Sequence, residues 1–241
     1  MKIALIGYGK MGKAIEEIAL AKGHTIVLKI TSNNVEELTT ENIQKADIVI
    51  EFTNPHSAVE NITKCLQAGV PVICGSTGWL HKWNEIELLC KQQNGTFLFA
   101  SNFSIGVNLF FELNIYLAKL MSNHTDYNIM IEETHHTQKK DAPSGTAITL
   151  AEQILQHTTF KENWVNHITE VANQLPIISK RIDAVTGTHK ITYTSAIDDI
   201  EIIHTAHNRM GFAKGAILAA EFVKDKKGII TMKEVLGFKN F

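Results

Sequence analysis

Residues 132–147, EETHHTQKKDAPSGTA, bring more reactive side chains together than any other stretch of this 241-residue chain. They hold adjacent His135 and His136, then Lys139 and Lys140, then Pro143-Ser144-Gly145-Thr146. Residues 127–131 read as a strand and residues 148–155 as a helix, so a strand end and a helix start converge here. Asp141 or Ser144 is placed to cap that helix, and the proline suits its first turn. The leading N–H groups near Gly145 and Thr146 would then make an anion site, and Gly145, lacking Cβ, admits a close ligand. Imidazoles and an ammonium add positive charge and a proton source near neutral pH. Such a set suits a small substrate bearing carboxylates. Other readings stay open. In regular strand geometry His135 and His136 point to opposite faces, so at most one need face a ligand unless the chain bends. Lys139-Lys140 could be a solvated turn. Glu133 and the histidines lack HExxH spacing and no cysteine is near, so no metal site is expected.

The elements that must position this stretch begin at the N-terminus. An apolar run ends in Gly7-Tyr8-Gly9-Lys10-Met11-Gly12, and a helical pattern follows through Leu20. This is G-x-G-x-x-G in its strand–turn–helix setting: one glycine for the turn, one for approach of a pyrophosphate, one for close helix packing. A dinucleotide is the expected ligand, held by backbone N–H groups at the helix start. After the second strand, 25–30, no acid stands where NAD is usually selected and no arginine where a 2′-phosphate is usually clasped. Thr31 and Ser32 are the candidates there, with Lys10 or Lys29 as possible cations, so NADH and NADPH both remain open.

Further strands at 47–52, 71–74 and 96–100 alternate with helices at 56–67 and 82–91. That alternation predicts a parallel sheet with right-handed crossovers. The turns near Gly7, Phe52, Gly75-Ser76-Thr77 and Ala100-Ser101-Asn102-Phe103 would share one sheet edge and line one crevice. A helix is expected over 107–121. The pattern then changes to strands at 127–136, 167–180, 189–196 and 199–207, with one helix, 144–157, among them. The fold class is therefore α/β: a Rossmann-type parallel-sheet domain, plus an α+β domain with a mainly antiparallel sheet for substrate and oligomerisation. The expected division is 1–103 with 210–241 against 104–209. A helix at 211–224 would return the chain to the first domain, with Ile229, Ile230, Val235 and Leu236 in a last strand or hairpin. The strands of the second domain alternate apolar and polar residues, which leaves a sheet face as a candidate subunit interface.

Apolar content of 44% and charged content of 20% are those of a soluble globular protein. A formal net charge of −2, with no basic block, gives no sign of a nucleic-acid partner. No stretch approaches a membrane span, and the N-terminus lacks a signal-peptide layout. Cys65, Cys74 and Cys90 have no CxxC spacing and fit a reducing compartment, so the expected location is the cytoplasm.

The run His135-His136-x-x-Lys139-x-Asp141-Ala142-Pro143-Ser144-Gly145-Thr146-Ala147 resembles the signature of the 4-hydroxy-tetrahydrodipicolinate (dihydrodipicolinate) reductase family. The likeness extends to the N-terminal glycine turn, Phe52-Thr53, Gly75 to Gly78, Ala100 to Asn108, and His204 through Arg209 to Ala216. It implies hydride transfer from NADPH or NADH to the dihydrodipicolinate heterocycle, in the diaminopimelate route to lysine. It implies that Gly7 to Gly12 hold the pyrophosphate, and that Gly75 to Thr77 and Ala100 to Phe103 line the nicotinamide side. His135 would be a proton donor or acceptor, His136 a substrate ligand, Lys139 the proton donor, and Gly145-Thr146 a carboxylate clamp. It also implies a homotetramer formed through the C-terminal sheet. The chain departs from the family pattern at Thr31-Ser32, at Asn54 and at Thr137-Gln138. Two competitors remain. One is another two-domain dehydrogenase, resembling aspartate or homoserine dehydrogenase, which should lack the His-His-to-Gly-Thr run. The other is a nucleotide-sensing protein without catalysis, against which the presence of Lys139 with Gly145-Thr146 argues.

Overall fold

In the computed structural model, which describes residues 1–238, the elements follow in this order: β1 (Lys2–Ile6), α1 (Lys10–Ala21), β2 (Thr25–Ile30), α2 (Thr40–Ile43), β3 (Ile48–Glu51), α3 (Pro55–Gln67), β4 (Val72–Cys74), α4 (Trp83–Gln92), β5 (Thr96–Phe99), α5 (Ile105–Met121), β6 (Asn128–His135), α6 (Gly145–His157), β7 (Asn163–Val165), β8 (Gln174–Arg181), β9 (Gly187–Thr194), β10 (Asp199–Ala206), α7 (Met210–Val223), β11 (Gly228–Ile230) and α8 (Met232–Leu236). The chain divides into two compact units, Met1–Ile105 with the described residues from Arg209 onward, and Gly106–Asn208.

In the first unit six strands form one parallel sheet, in the order β11-β5-β4-β3-β1-β2. Its strands read as unbroken apolar runs because helices cover both faces. Along β1, Ala4 and Ile6 enter a core with Ile62, Leu66, Trp79 and Ile86, while Ile3 and Leu5 enter another with Ile15, Ala19, Ile217 and Val223. Strand order reverses between β1 and β3, so the turns leaving these strands diverge and open a crevice at the sheet edge. Gly7 sits there at φ 93°, and a Cβ on it would lie 2.0 Å from the Phe52 carbonyl oxygen. No other residue type fits that turn.

In the second unit five strands run in the order β10-β9-β6-β8-β7. The sheet is mixed: β10, β9 and β6 pair antiparallel, but β8 joins β6, and β7 joins β8, in parallel. The crossover helix α6 accounts for this, since it returns the chain to the starting end of β6 before the next strands form. Ile129, Ile131, Leu175, Ile177, Ile191 and Tyr193 alternate onto one face and bury Val107, Phe110, Leu150 and Ile154 of the two helices.

Two expected elements differ. The strand expected at 167–180 begins only at Gln174, because Thr169 turns the chain just before it. Its Oγ1 accepts from Val171 N (3.1 Å) and donates to Gln174 Oε1 (2.8 Å), a local alternative to ladder pairing. Val235 and Leu236 lie in α8 rather than in a strand, because Thr231 and Glu234 form a capping box that starts a helix.

Gly215 of α7 supplies a steric test of this packing. A Cβ there would stand 1.8 Å from the Phe103 carbonyl oxygen. Gly215→Ala should therefore destabilise the protein by about 1–3 kcal/mol, as overpacking does. Denaturant titration measures this, and a wild-type midpoint would contradict the close packing described.

Candidate active site

The crevice of the first unit is a cleft of about 470 Å³ lined by Gly7, Tyr8 and Gly9, by Thr31 and Ser32, and by Thr53, Asn54, Ser57 and Asn61. Gly9 begins α1 with no side-chain cap, and a Cβ on it would meet nothing within 4 Å. Open space before uncapped helical N–H groups is the cradle a pyrophosphate needs, so these residues fit a dinucleotide. Gly12 serves packing: a Cβ there would lie 2.5 Å from the Gly7 carbonyl oxygen. Thr31 is partly committed, its N–H and hydroxyl both donating to Asn34 Oδ1 at 2.8 and 2.9 Å. Ser32 is exposed. Lys29, a candidate cation from the sequence, is paired with Glu16 at 2.6 Å and stands 4.7 Å from the centre of the Tyr8 ring. Lys10 is exposed and, like Met11, Gly12, Phe52, Gly75 to Thr77 and Ala100 to Phe103, is not part of the cleft lining.

Several of those residues shape the edge from below. Ser76 is buried and accepts from Thr53 N (2.7 Å) through Oγ and from Trp79 Nε1 (2.7 Å) through its carbonyl. Gly75 lies against the Phe52 ring, and that ring meets Phe103 at 5.5 Å between centroids. Ala100 and Phe103 are buried, Thr77 is exposed, and Ser101 and Asn102 are half-buried.

In the second unit the strand alternation of β6 turns Glu133 and His135 to the buried face, while His136, beyond the strand end, is half-buried. The Lys139 N–H donates to the His136 carbonyl at 3.1 Å, closing a turn. Lys139 Nζ lies 2.9 Å from Asp141 Oδ2. Ser144, not Asp141, caps α6, and its Oγ accepts from Ala147 N at 3.3 Å. Pro143 therefore precedes the cap rather than occupying the first turn. Gly145 and Thr146 are the first two residues of α6, and a Cβ on Gly145 would meet open space.

Four residues at this end of the sheet were not singled out from sequence as site residues: Glu133, Ser144, Arg181 and His189. Glu133 is fully buried, with one carboxylate oxygen hydrogen-bonded to His135 Nδ1 and the other 3.0 Å from Arg181 Nη1. The arginine contact is an ion pair rather than an aligned hydrogen bond. His189 faces His135 edge-on, with ring centroids 5.2 Å apart, and its Nε2 lies 3.2 Å from Ser144 Oγ. The two-residue spacing of Glu133 and His135 was a usable signal for a shared face. Arg181 and His189 gave none, since only the pairing of β8 and β9 with β6 brings them here. Among the described residues, Glu133, His135 and His189 place three potential metal donors within 4.8 Å of one another. The Glu133 carboxylate is already divided between a hydrogen bond to His135 and an ion pair with Arg181.

A parallel sheet with a glycine-turn cleft at its switch point, in a chain that also carries buried histidines beside a helix start, defines an NAD(P)H-dependent oxidoreductase. Family models described as "Dihydrodipicolinate reductase, N-terminus" and "Dihydrodipicolinate reductase, C-terminus" match residues 1–103 and 106–236. The 4-hydroxy-tetrahydrodipicolinate reductase of Christiangramia forsetii is 49% identical over 243 residues, covering 100% of both chains. That of Methanosarcina acetivorans is 35% identical, covering 98% of this chain and 89% of its own. Among solved structures, a dipicolinate-bound dihydrodipicolinate reductase from Paenisporosarcina sp. TG-14 superposes with a TM-score of 0.72, at 23% identity, covering 97% of this chain and 98% of that one. The chain belongs to the dihydrodipicolinate reductase family. Its reaction is hydride transfer from NADH or NADPH to the dihydrodipicolinate heterocycle, the reductive step of the diaminopimelate route to lysine.

Protonation of the buried network sets an acid limit on stability. Burial holds His189 down to about 3 from an ordinary 6.5, and repulsion from His135 adds to it. Protonating His189 therefore favours the unfolded chain. Its contribution is complete above about pH 6.5 and is lost as pH falls toward 3. Burial pushes Glu133 up, but His135, Ser179 and Arg181 outweigh it and hold the carboxyl at about 2 against an ordinary 4.5. Its contribution is complete above 4.5 and is lost toward 2. Stability should thus decline from pH 6.5 downward and steepen below 4.5. In His189→Asn the decline between 6.5 and 4.5 should flatten, as read from melting temperature against pH. An unchanged slope would assign that decline to other groups.

Proposed function

We propose that His135, His136, Lys139, Gly145 and Thr146 form the substrate site of this reduction, and that Gly7 to Gly12 hold the pyrophosphate of the cofactor. Thr31 and Ser32 take its adenosine ribose. Phe52, Gly75 to Thr77 and Ala100 to Phe103 shape its nicotinamide side. The bound cofactor supplies the hydride. Everything else is work for the side chains of this chain.

The observation that carries the reading is one sheet end where a helix start, an ammonium and a carboxylate-held imidazole come together. Gly145 and Thr146 offer first-turn N–H groups and a favourable dipole to a substrate carboxylate. His136 adds a ligand beside them. The ring with two carboxylates that the Paenisporosarcina relative binds has the charge such a site would take. As hydride adds to the unsaturated ring, an electron pair is displaced onto the ring system. Lys139 stabilises that developing charge and then gives up its proton to quench it, so the ring gains one hydride and one proton. Asp141, exposed and 2.9 Å from Lys139 Nζ, orients the ammonium. His135, buried beside them, serves as donor or acceptor in the same exchange.

The enzyme on this reading is a cytoplasmic homotetramer. All three cysteines are free and buried, which suits a reducing compartment. Among the described residues no helix is long and apolar enough to cross a membrane. The sheet face of the second unit turned away from α5 and α6 carries Met130, Ile178 and the 55%-exposed Ile203 among threonines and charged residues. Subunits would bury that face against one another.

Two measurements test the proposal. Following loss of reduced-cofactor absorbance with the heterocycle as substrate, Lys139→Ala should lower kcat/KM by roughly 100-fold or more, with cofactor affinity within about twofold of wild type. Wild-type turnover would remove Lys139 from its role. Ile203→Asp should reduce the mass found by light scattering, and an unchanged assembly would place the interface elsewhere.

A further inference from the structure

The groups proposed to manage protons sit on two different pieces of chain. His135 ends β6, whereas Lys139 belongs to the turn that leads to α6. Hydride and proton delivery need both to be held to within a fraction of an ångström. The structure contains one feature that touches both pieces. Arg181, at the end of β8, lies beside His135 in the parallel register of β6 and β8. Its Nη1 faces Glu133 Oε1 at 3.0 Å and donates to the Lys180 carbonyl at 2.8 Å. Its Nη2 donates to the Asp141 carbonyl at 2.5 Å, and its Nε to the Lys139 carbonyl at 3.4 Å. The rigid fork of a guanidinium can reach a carboxylate and two loop carbonyls at once, which an ammonium cannot.

The Glu133 carboxylate does the complementary task. It is fully buried and accepts at His135 Nδ1, which fixes the proton on that nitrogen in the neutral ring. His135 Nε2 is then the atom left to exchange a proton, and it faces Gly187, where a Cβ would stand 3.1 Å away. His189, neutral and edge-on to His135, adds no charge to compete for the carboxylate.

We infer that Glu133 and Arg181 form a positioning couple: Glu133 sets the tautomer of His135, and Arg181, anchored on Glu133, sets the backbone of the Lys139 turn. The couple touches no reacting atom. It makes one ion pair, on a buried carboxylate, responsible for two separately encoded groups. The inference rests on the roles proposed above for His135 and Lys139, so its first readout is independent of turnover.

In wild-type protein labelled with 15N-histidine, His135 should show Nδ1 as the protonated nitrogen when neutral. The opposite tautomer would overturn the assignment, and no folding of a variant is needed to see it. In Glu133→Gln the carboxylate charge is lost and the Nδ1–H signature should give way to a mixture of tautomers, with kcat down by about 100-fold and the substrate KM little changed. In Arg181→Lys the His135 signature should persist while the substrate KM rises about tenfold, because charge is kept and the fork on the Lys139 turn is lost. Both variants should keep wild-type cofactor affinity, since that cleft belongs to the other unit. Full activity of Arg181→Lys would overturn its part. If Lys139→Ala proved fully active while these signatures held, the couple would stand and the role of Lys139 would fall.

Discussion

A charge with no exposed surface lies near the sheet end of the second unit. An isolated carboxylate in that position would be prohibitive, and even a paired one is costly unless its partners are well placed. Glu133 is placed against both His135, which shares its face of β6 by alternation, and Arg181, which arrives by the register of β8 on β6. A slip of one residue in β8 would turn Lys180 toward Glu133 in place of Arg181, and would uncouple the Lys139 turn. The electrostatics of the site and the alignment of the sheet are therefore one requirement. The same alignment explains why the buried face of β6 ends in a polar network after two apolar residues, Ile129 and Ile131.

The first unit works by a different constraint. Its cleft lining, among the described residues, carries no charged side chain. Backbone groups at the start of α1 are what the cleft offers to an anion, and the chain there is governed by steric closeness. Gly7 and Gly12 lie too near neighbouring carbonyls for a side chain, and Gly9 stands clear for a ligand. Beneath the cleft, Glu51 is buried and tied to Thr53 N (3.1 Å) and Cys74 Sγ (3.0 Å), which holds the β3 and β4 ends together. The two units thus differ in kind: shape and backbone dipole around the cleft of the first, placed charges at the sheet end of the second.

Much of this is readable in the chain because it is local. The glycine turn, the apolar strands of the first sheet and the helix beginning at Gly145 each depend on spacing within a dozen residues. The reading fails where the determinants are side chains bonding nearby backbone. Thr169 breaks an apparent strand, and Thr231 with Glu234 starts a helix where apolar residues suggested a hairpin. It also fails where pairing is distant. Nothing near His135 announces that Arg181 and His189 will flank it, since they come from strands that follow a whole crossover. The mixed character of the second sheet was hidden for the same reason.

The chain path has a consequence for synthesis. The second unit is an insertion between β5 and α7, so all its residues precede α7, β11 and α8 of the first unit. While the chain emerges from a ribosome, β5 has no neighbour on its outer edge, because β11 that pairs with it is made last. Ile73 and Leu98 likewise lack Ala216, Ile217 and Ala220 of α7. The nucleotide-binding half therefore begins first and finishes last. Until residues 210–236 arrive it presents a bare apolar face and an open strand edge, the kind of surface that chaperones cover and neighbouring nascent chains can pair with.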